Sequence, residues 1–214
     1  MTGTEGVSAT DVIPGDLPTI LLHDAVLQEF LAAAVPEYRL ITPEAQLPCF
    51  ALLLGTVADS TLNVEHLAFG RNAKTTDPAA RREFTETIVP RFGPEYGNEL
   101  RGWWFDSADL LRISYQAEAA GLDILGSIHM HPDWHRICPE LAGGRALSEH
   151  PTPMDRHAFG SAGWPVNLIC YLETRGGAVY HALGAWALPE GPDGPLVQVP
   201  LRVRTAVPAG GGAR

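Results

Sequence analysis

The chain has 214 residues and a formal net charge of −10 at pH 7, with 45% hydrophobic and 19% charged residues. This length and composition predict a single globular domain that can bury a substantial core. No cluster of basic residues and no apolar run of ~20 residues occurs, so we expect neither a nucleic-acid partner nor a membrane partner.

The N-terminal part of the chain predicts a tail, a strand and a helix. Residues 1–16 have neither the basic start nor the apolar segment of a signal peptide, and we expect a disordered tail. Thr19 to Leu22 is a short apolar and β-branched run. Asp24 predicts the N-cap of a helix over Ala25 to Ala34, and Pro36 is expected to end it.

Two strands and an insertion are predicted next. Residues 37–48 contain two prolines and predict a loop, which is followed by strands over Phe50 to Val57 and Leu62 to Phe69. Residues 73–101 predict an insertion, with a helix that starts at Asp77-Pro78, ends before Pro90 and leads into a loop at 93–98.

The next elements flank a pair of histidines. Asp106 or Ser107 predicts the N-cap of a helix across Ala108 to Ala120, which Gly121 ends. A strand over Ile124 to Met130 then leads directly into His131-Pro132. A long loop follows, and we treat residues 133–150 as a second insertion.

The last third predicts a short helix and three strands. Thr152-Pro153 is a favourable helix start, and the strands are expected at Pro165 to Leu172, Val179 to Leu188 and Leu196 to Val203. The mixture of strands and helices predicts an α/β domain over residues 17–205, a sandwich around one central sheet. Residues 206–214 predict a flexible tail.

The cysteines favour a reducing compartment. They are odd in number and widely spaced, which argues against a disulfide framework and for a cytoplasmic protein. The three are Cys49, Cys138 and Cys170.

His129, His131 and Asp155 predict a metal site. Side chains alternate along a strand, so the two histidines project from the same face. Asp155 lies in the first turn of the next helix, where the helix dipole favours a carboxylate. Three protein ligands leave one position open, as in catalytic zinc sites, and two histidines with one aspartate suit a single zinc ion.

A family resemblance extends this prediction. The run His129-Met-His131-Pro132, followed by Pro151-Thr152-Pro-Met-Asp155, resembles the motif of the JAMM (MPN+, Mov34/JAB) zinc metalloproteases. That motif is usually written as a glutamate, then His-x-His-Pro, then Ser-x-x-Asp. The match covers roughly residues 19–188. Its flanks fit the layout of the family as well, at Leu53-Leu54-Gly55, Trp104-Phe105-Asp106, Gly121 to Gly126 and Ala185-Trp186.

The resemblance implies a JAMM/MPN-type fold, which is a single domain with insertions and a central mixed sheet flanked by helices. It also implies one zinc ion and a hydrolase of the bacterial deubiquitinase-like kind. Such an enzyme is an isopeptidase or peptidase that acts at the C-terminus of a ubiquitin-like protein or a sulfur-carrier protein. Residue by residue, it implies that His129, His131 and Asp155 hold the zinc. It also implies that Thr152, in place of the family serine, donates its hydroxyl to the developing oxyanion.

The family glutamate, which moves the proton, does not have a counterpart in register. It stands about seven residues before the glycine that matches Gly55, and this chain has Pro48 there. The sequence leaves the general base open among several carboxylates, or leaves it absent. The candidates are Glu37, Glu44, Glu65 and Glu149.

Two alternatives to the peptidase follow from the differences between this chain and the family motif. Without a base, the chain is a catalytically weak or inactive MPN-type interaction module, and with a closed pocket it is a hydrolase of a small-molecule amide. The long loop brings His135, Cys138 and His150 near the metal in sequence. These residues either ligate or occlude the metal, or belong to a loop that contacts the substrate.

Overall fold

A computed structural model describes residues 17–137 and 150–205, and the structural statements below concern these residues. The predicted tails, 1–16 and 206–214, lie outside them, as do Cys138 to Glu149 of the long loop.

Eight strands form one mixed sheet. Their order across the sheet is β7-β6-β5-β4-β2-β3-β1-β8. The pairs β4/β5, β1/β3 and β1/β8 are parallel, and the others are antiparallel. The strands are β1 (Thr19–His23), β2 (Phe50–Ala58), β3 (Thr61–Phe69), β4 (Asp123–Pro132), β5 (Val166–Arg175), β6 (Ala178–Ala187), β7 (Val197–Gln198) and β8 (Leu201–Arg204).

The sheet curls until its two edges come close together. β7 and β8 stand at opposite edges, yet only Val199 and Pro200 separate them in the chain. The N–H of Val199 donates to the carbonyl of Ala185, and the N–H of Ile20 donates to the carbonyl of Pro200, each at 2.9 Å. Because this linker spans roughly 10 Å at most, the edges must be neighbours.

The single strand predicted over Leu196 to Val203 is therefore wrong. Pro200 has no N–H to donate to a continuous ladder, and Val199 turns inward to be 4% exposed. The segment pairs first with one edge of the sheet and then with the other.

Helix α1 (Asp24–Leu40) fills the inside of the curl. Its buried residues recur at helical spacing and share one core with residues from β1 to β6. They are Val26, Leu27, Phe30, Ala34 and Tyr38.

The predicted end of this helix at Pro36 is wrong. Tyr38, one half-turn further on, is fully buried, and its hydroxyl is 2.9 Å from Thr174 Oγ1. Pro36 is exposed and costs one backbone hydrogen bond, a local penalty of about 3 kcal/mol, which the tertiary contacts of Tyr38 help to offset. The N-cap is His23 rather than Asp24, which lies in the first turn.

The first insertion is mostly helical. It contains α2 (Ala73–Thr76), α3 (Pro78–Glu83), a π-helical turn (Phe84–Ile88), α4 (Val89–Phe92) and a 3₁₀ turn (Pro94–Gly97). Asp77 caps α3 as predicted, accepting from the N–H of Ala79 at 2.8 Å. The predicted stop before Pro90 is wrong because Pro90 falls in the first turn of α4, where its missing N–H is tolerated.

Three further helices follow, α5 (Ser107–Ala119), α6 (Trp134–Ile137) and α7 (Pro153–Ala162). Asp106 caps α5 as predicted, accepting from the N–H groups of Ala108 and Asp109. α5 and α7 pack on the outer face of the curled sheet. The predicted α/β class, with a mixed sheet and flanking helices, is confirmed. Among the described residues, no helix has the length and apolarity that crossing a bilayer requires.

Candidate metal centre

Donor atoms of three residues from β4 and α7 lie close together. The Nε2 atoms of His129 and His131 are 3.0 Å apart. Asp155 Oδ1 lies 3.1 Å from His129 Nε2, and Asp155 Oδ2 lies 3.2 Å from His131 Nε2. The structure therefore brings together the three ligands that the sequence predicted.

The strand places the histidines and the helix places the carboxylate. Ile128 and Met130 point into the inner core, so His129 and His131 face the outer side, toward α7. Pro132 ends β4 just beyond them. Asp155 is the third residue of α7, and Thr152 is the N-cap. The site thus combines a strand end with a helix start.

A reciprocal hydrogen-bonded cap orients Asp155. Its Oδ2 accepts from the Thr152 N–H at 2.6 Å and from the Thr152 hydroxyl at 2.8 Å, while the Asp155 N–H donates to Thr152 Oγ1 at 3.1 Å. This is the capping box that the pattern Thr-x-x-Asp predicts. Thr152 consequently contacts the candidate ligand directly.

The donor set fits a zinc ion. Ligands at ~2.0–2.1 Å from one tetrahedral ion are about 3.3–3.4 Å apart, close to the 3.0 Å between the two histidine nitrogens and to the 3.1 and 3.2 Å from each nitrogen to its nearer Asp155 oxygen. Two imidazole nitrogens and a carboxylate oxygen are also a common zinc donor set. The described residues contain this one group of three or more histidine, cysteine or acidic side chains that could hold a metal ion.

The ionisation states suit metal binding. Burial lowers the pKa of His129, and the opposing effect of Asp155 is smaller, so the ring is neutral at pH 7 and has a lone pair to offer. Burial acts to raise the pKa of Asp155, but the charge of His131 and hydrogen bonds from both histidines bring it well below its usual value. The carboxylate is therefore ionised.

Aromatic packing holds the ring of His129. Its centroid lies 5.4 Å from that of Trp103 and 5.9 Å from that of Phe159. Its Nδ1 is buried without a hydrogen-bond partner among the described residues. A ligating histidine usually donates this N–H to a polar group, so packing takes over the orienting role here.

The three ligands line a cleft of about 120 Å³. Its wall comes from the loop 41–48, the segment 96–103, the end of β4 with α6, and the first turns of α7. The structure thus places the predicted loop before β2 and the end of the first insertion beside the metal ligands.

The carboxylates considered as general bases lie elsewhere. Glu44 accepts from the Thr42 hydroxyl at 3.0 Å, and Glu65 accepts from the Thr56 hydroxyl at 2.9 Å. Thr56 is roughly 20 Å along β2 from Phe50, the residue that pairs with His129. Glu37 is on α1, where its charge adds to the larger effect of burial in raising the pKa of Cys49 to about 12. None of these three glutamates lines the cleft, and Glu149 lies outside the described residues.

The second insertion is described only in part. His150 is exposed, its ring centroid is 6.2 Å from that of Trp186, and it does not line the cleft. Cys138 lies outside the described residues, as does the side chain of His135.

Three polar residues of the cleft were missed by the sequence reasoning: Gln46, Tyr96 and Arg101. Arg101 Nη1 donates to Gln46 Oε1 at 3.3 Å, and its guanidinium carbon lies 4.9 Å from the centroid of the Tyr96 ring. Burial raises the pKa of Tyr96, with a smaller opposing effect from a hydrogen bond to Thr152. No local pattern marks these residues, because they reach the cleft from distant segments.

No protein-family model matches the chain, and no curated protein matches it. Among solved structures, the chain is similar to the solution structure of protein DSY2949 from Desulfitobacterium hafniense. The TM-score is 0.51 at 14% sequence identity, over 89% of this chain and 96% of that one. At this identity the likeness concerns the fold alone, and it agrees with a single α/β domain.

Proposed function

We propose that the protein is a zinc-dependent peptidase or isopeptidase of the JAMM type, which acts at the C-terminus of a ubiquitin-like or sulfur-carrier protein. The observation that carries this proposal is the convergence of His129, His131 and Asp155 within 3.2 Å of one another in a cleft. The motif in sequence and the mixed sheet with helices on both faces add support.

Each residue of the centre has a role in this proposal. When bound, zinc supplies a Lewis acid and a water of lowered pKa. His129, His131 and Asp155 hold the ion, and Thr152 fixes the carboxylate of Asp155 through two hydrogen bonds. Because its hydroxyl is committed to Asp155, Thr152 acts first as a positioning residue, and its role as oxyanion donor stays a prediction.

Amide hydrolysis also needs a group that carries a proton to the leaving amine. Asp155 is the one carboxylate among the described residues that line the cleft, and metal ligation occupies it. Gln46 has the length of a glutamate, but its amide cannot act as a base at neutral pH. Glu149 remains a candidate from outside the described residues.

This observation favours a second candidate function. A metal centre whose described lining residues supply no carboxylate base is consistent with a weakly active or inactive MPN-type interaction module. Such a module would use the same surface to bind a protein without cleaving it.

Chelator-sensitive cleavage separates the two candidates. The full chain is loaded with zinc and incubated with ubiquitin-like and sulfur-carrier proteins that bear C-terminal extensions. The peptidase predicts loss of the extension, which stops with a chelator and resumes when zinc is restored. One zinc per chain without chelator-sensitive cleavage of any carrier would support the interaction module instead.

Matched histidine variants complete the test. His131→Ala should abolish zinc binding and cleavage, whereas His181→Ala, an exposed histidine on β6, should preserve both. Cleavage that persists in His131→Ala would show that another centre, or a contaminant, is responsible.

A further inference from the structure

A second pocket, which we call the tryptophan pocket, lies beside the metal cleft. Its described lining residues come from the segment that leads into α5, from α5 itself, and from α7 with the turn that follows it. They are Trp103, Trp104, Phe105, Leu110, Ala158, Ser161, Ala162 and Trp164. Trp103 and Ala158 also line the metal cleft, so the two cavities are neighbours.

The tryptophan pocket is aromatic, and none of its described lining residues is charged. Three of the five tryptophans in the chain line it, and all three are partly exposed: Trp103, Trp104 and Trp164. Large aromatic side chains that stay partly exposed at one place on the surface are typical of a binding site, because they supply most of the binding energy when they are covered. The pocket therefore has the composition of a site for an apolar group.

Trp103 connects this pocket to the metal ligands. Its ring stacks on Phe50, with centroids 4.9 Å apart and an angle of 14° between the planes. Its ring centroid also lies 5.4 Å from that of His129. A group bound in the tryptophan pocket therefore contacts the same indole that packs against a candidate metal ligand, and a polypeptide that crosses Trp103 reaches both cavities.

We propose that the tryptophan pocket binds a large apolar side chain of the polypeptide whose backbone lies at the metal centre. Such a side chain gains free energy when it leaves water for this surface, and an aromatic ring gains more from contacts with the indoles. A charged side chain would lose hydration without a described partner of opposite charge. Because Trp103 and Ala158 border both cavities, the bound residue stands a few positions from the backbone group at the metal.

This inference rests on the proposed function for the polypeptide at the metal, but its test measures binding. Three acetylated and amidated peptides, Gly-Gly-X-Gly-Gly with phenylalanine, serine or lysine at X, are titrated into the zinc-loaded full chain. The probes contain no tryptophan, so the emission of the chain's own tryptophans reports binding. The expected result is an affinity about tenfold or more higher for the phenylalanine probe than for the serine and lysine probes.

Substitutions assign this preference to the tryptophan pocket. Ala162→Asp adds a charge to its wall and should reduce the preference to within about twofold. Ala119→Asp is the matched control and should preserve the preference, because both alanines are exposed and each is the last residue of its helix. Trp164→Ala, which removes one indole, should also reduce the preference. An unfolded fraction weakens all probes equally, so the ratio of affinities does not report on stability. If Trp164→Ala does not fold, Ala162→Asp carries the test.

The outcomes separate this inference from the proposed function. Equal affinities of the three probes, a preference for lysine, no binding of any probe, an unchanged ratio in Ala162→Asp, or an equal loss in Ala119→Asp would overturn it. A preference for phenylalanine that depends on the pocket, without chelator-sensitive cleavage of any carrier, would support the inference and count against the peptidase. Chelator-sensitive cleavage without the preference would do the opposite.

Discussion

Thr152 and Asp155 form a helix cap with the same atoms that belong to the candidate metal centre. The Thr152 N–H and hydroxyl both donate to Asp155 Oδ2, at 2.6 and 2.8 Å, and the Asp155 N–H donates back to Thr152 Oγ1 at 3.1 Å. The carboxylate that begins α7 is thus the one that faces His129 and His131. The helix cap therefore also fixes the position of this candidate metal ligand.

This coupling predicts the effect of Thr152→Ala. Loss of the cap should lower the free energy of unfolding by about 0.5–2 kcal/mol. Loss of the two hydrogen bonds to a ligand should also weaken zinc affinity by about 10–100-fold. Thr152→Ser keeps the hydroxyl and should retain most of both. Denaturant unfolding and competition with a zinc indicator measure the two effects, and an unchanged zinc affinity in Thr152→Ala would refute the coupling.

Zinc should stabilise the folded chain. An ion that binds only the folded state at about 100 times its Kd adds about 2.7 kcal/mol, which corresponds to a rise in Tm of about 5–11 °C for a domain of this size. A chelator should reverse the rise, which calorimetry detects. Asp155→Asn should abolish the rise, since the amide replaces an ionised ligand; an equal rise in that variant would place the zinc elsewhere.

Gly126→Ala should push β4, which carries His129 and His131, away from β5. A Cβ at this position would overlap the carbonyl oxygen of Val166 on β5, and a backbone group between paired strands has little room to move. We expect a loss of stability of about 1–3 kcal/mol or more, with weaker zinc binding. Gly97→Ala is the control, because its Cβ would meet only Val89 at 3.9 Å. Equal unfolding midpoints of the two variants would contradict the close strand approach.

Part of the folding stability should depend on pH through the carboxylate of Asp109. Hydrogen bonds from the backbone and side chain of Arg71 lower the pKa of Asp109 to about 2, from 3.8. Because the folded value is depressed, the unfolded state binds more protons between these values, and the stabilisation is complete above pH ~4 and lost as pH falls through about 2. Asp109→Asn should therefore lower Tm at pH 7 by more than at pH 2.

Thermal unfolding at the two pH values checks this prediction. Glu118→Gln, which changes an exposed carboxylate on the same helix, provides the control for loss of a negative charge. A difference between wild type and Asp109→Asn that is equally large at pH 2 would show that the side chain acts through its shape and not its charge.

The local features that form the candidate site followed from the sequence. Alternation along β4 put His129 and His131 on one face, and the capping box put Asp155 at the start of α7. Asp77 and Asp106 likewise cap the helices that their positions predicted. These features depend on residues a few positions apart, whose relative placement the backbone geometry dictates.

Only the tertiary structure decided what surrounds the ligands. Tyr96 and Arg101 line the cleft, and Lys74, more than twenty residues earlier in the chain, donates hydrogen bonds to their carbonyls. Helix α1 continues past Pro36 because Tyr38 is buried inside the curled sheet. Local helix propensity does not predict this effect. The sequence determined the metal ligands by itself because they are set by short-range geometry. The rest of the cleft wall depends on contacts between distant segments, which form only when the chain is folded.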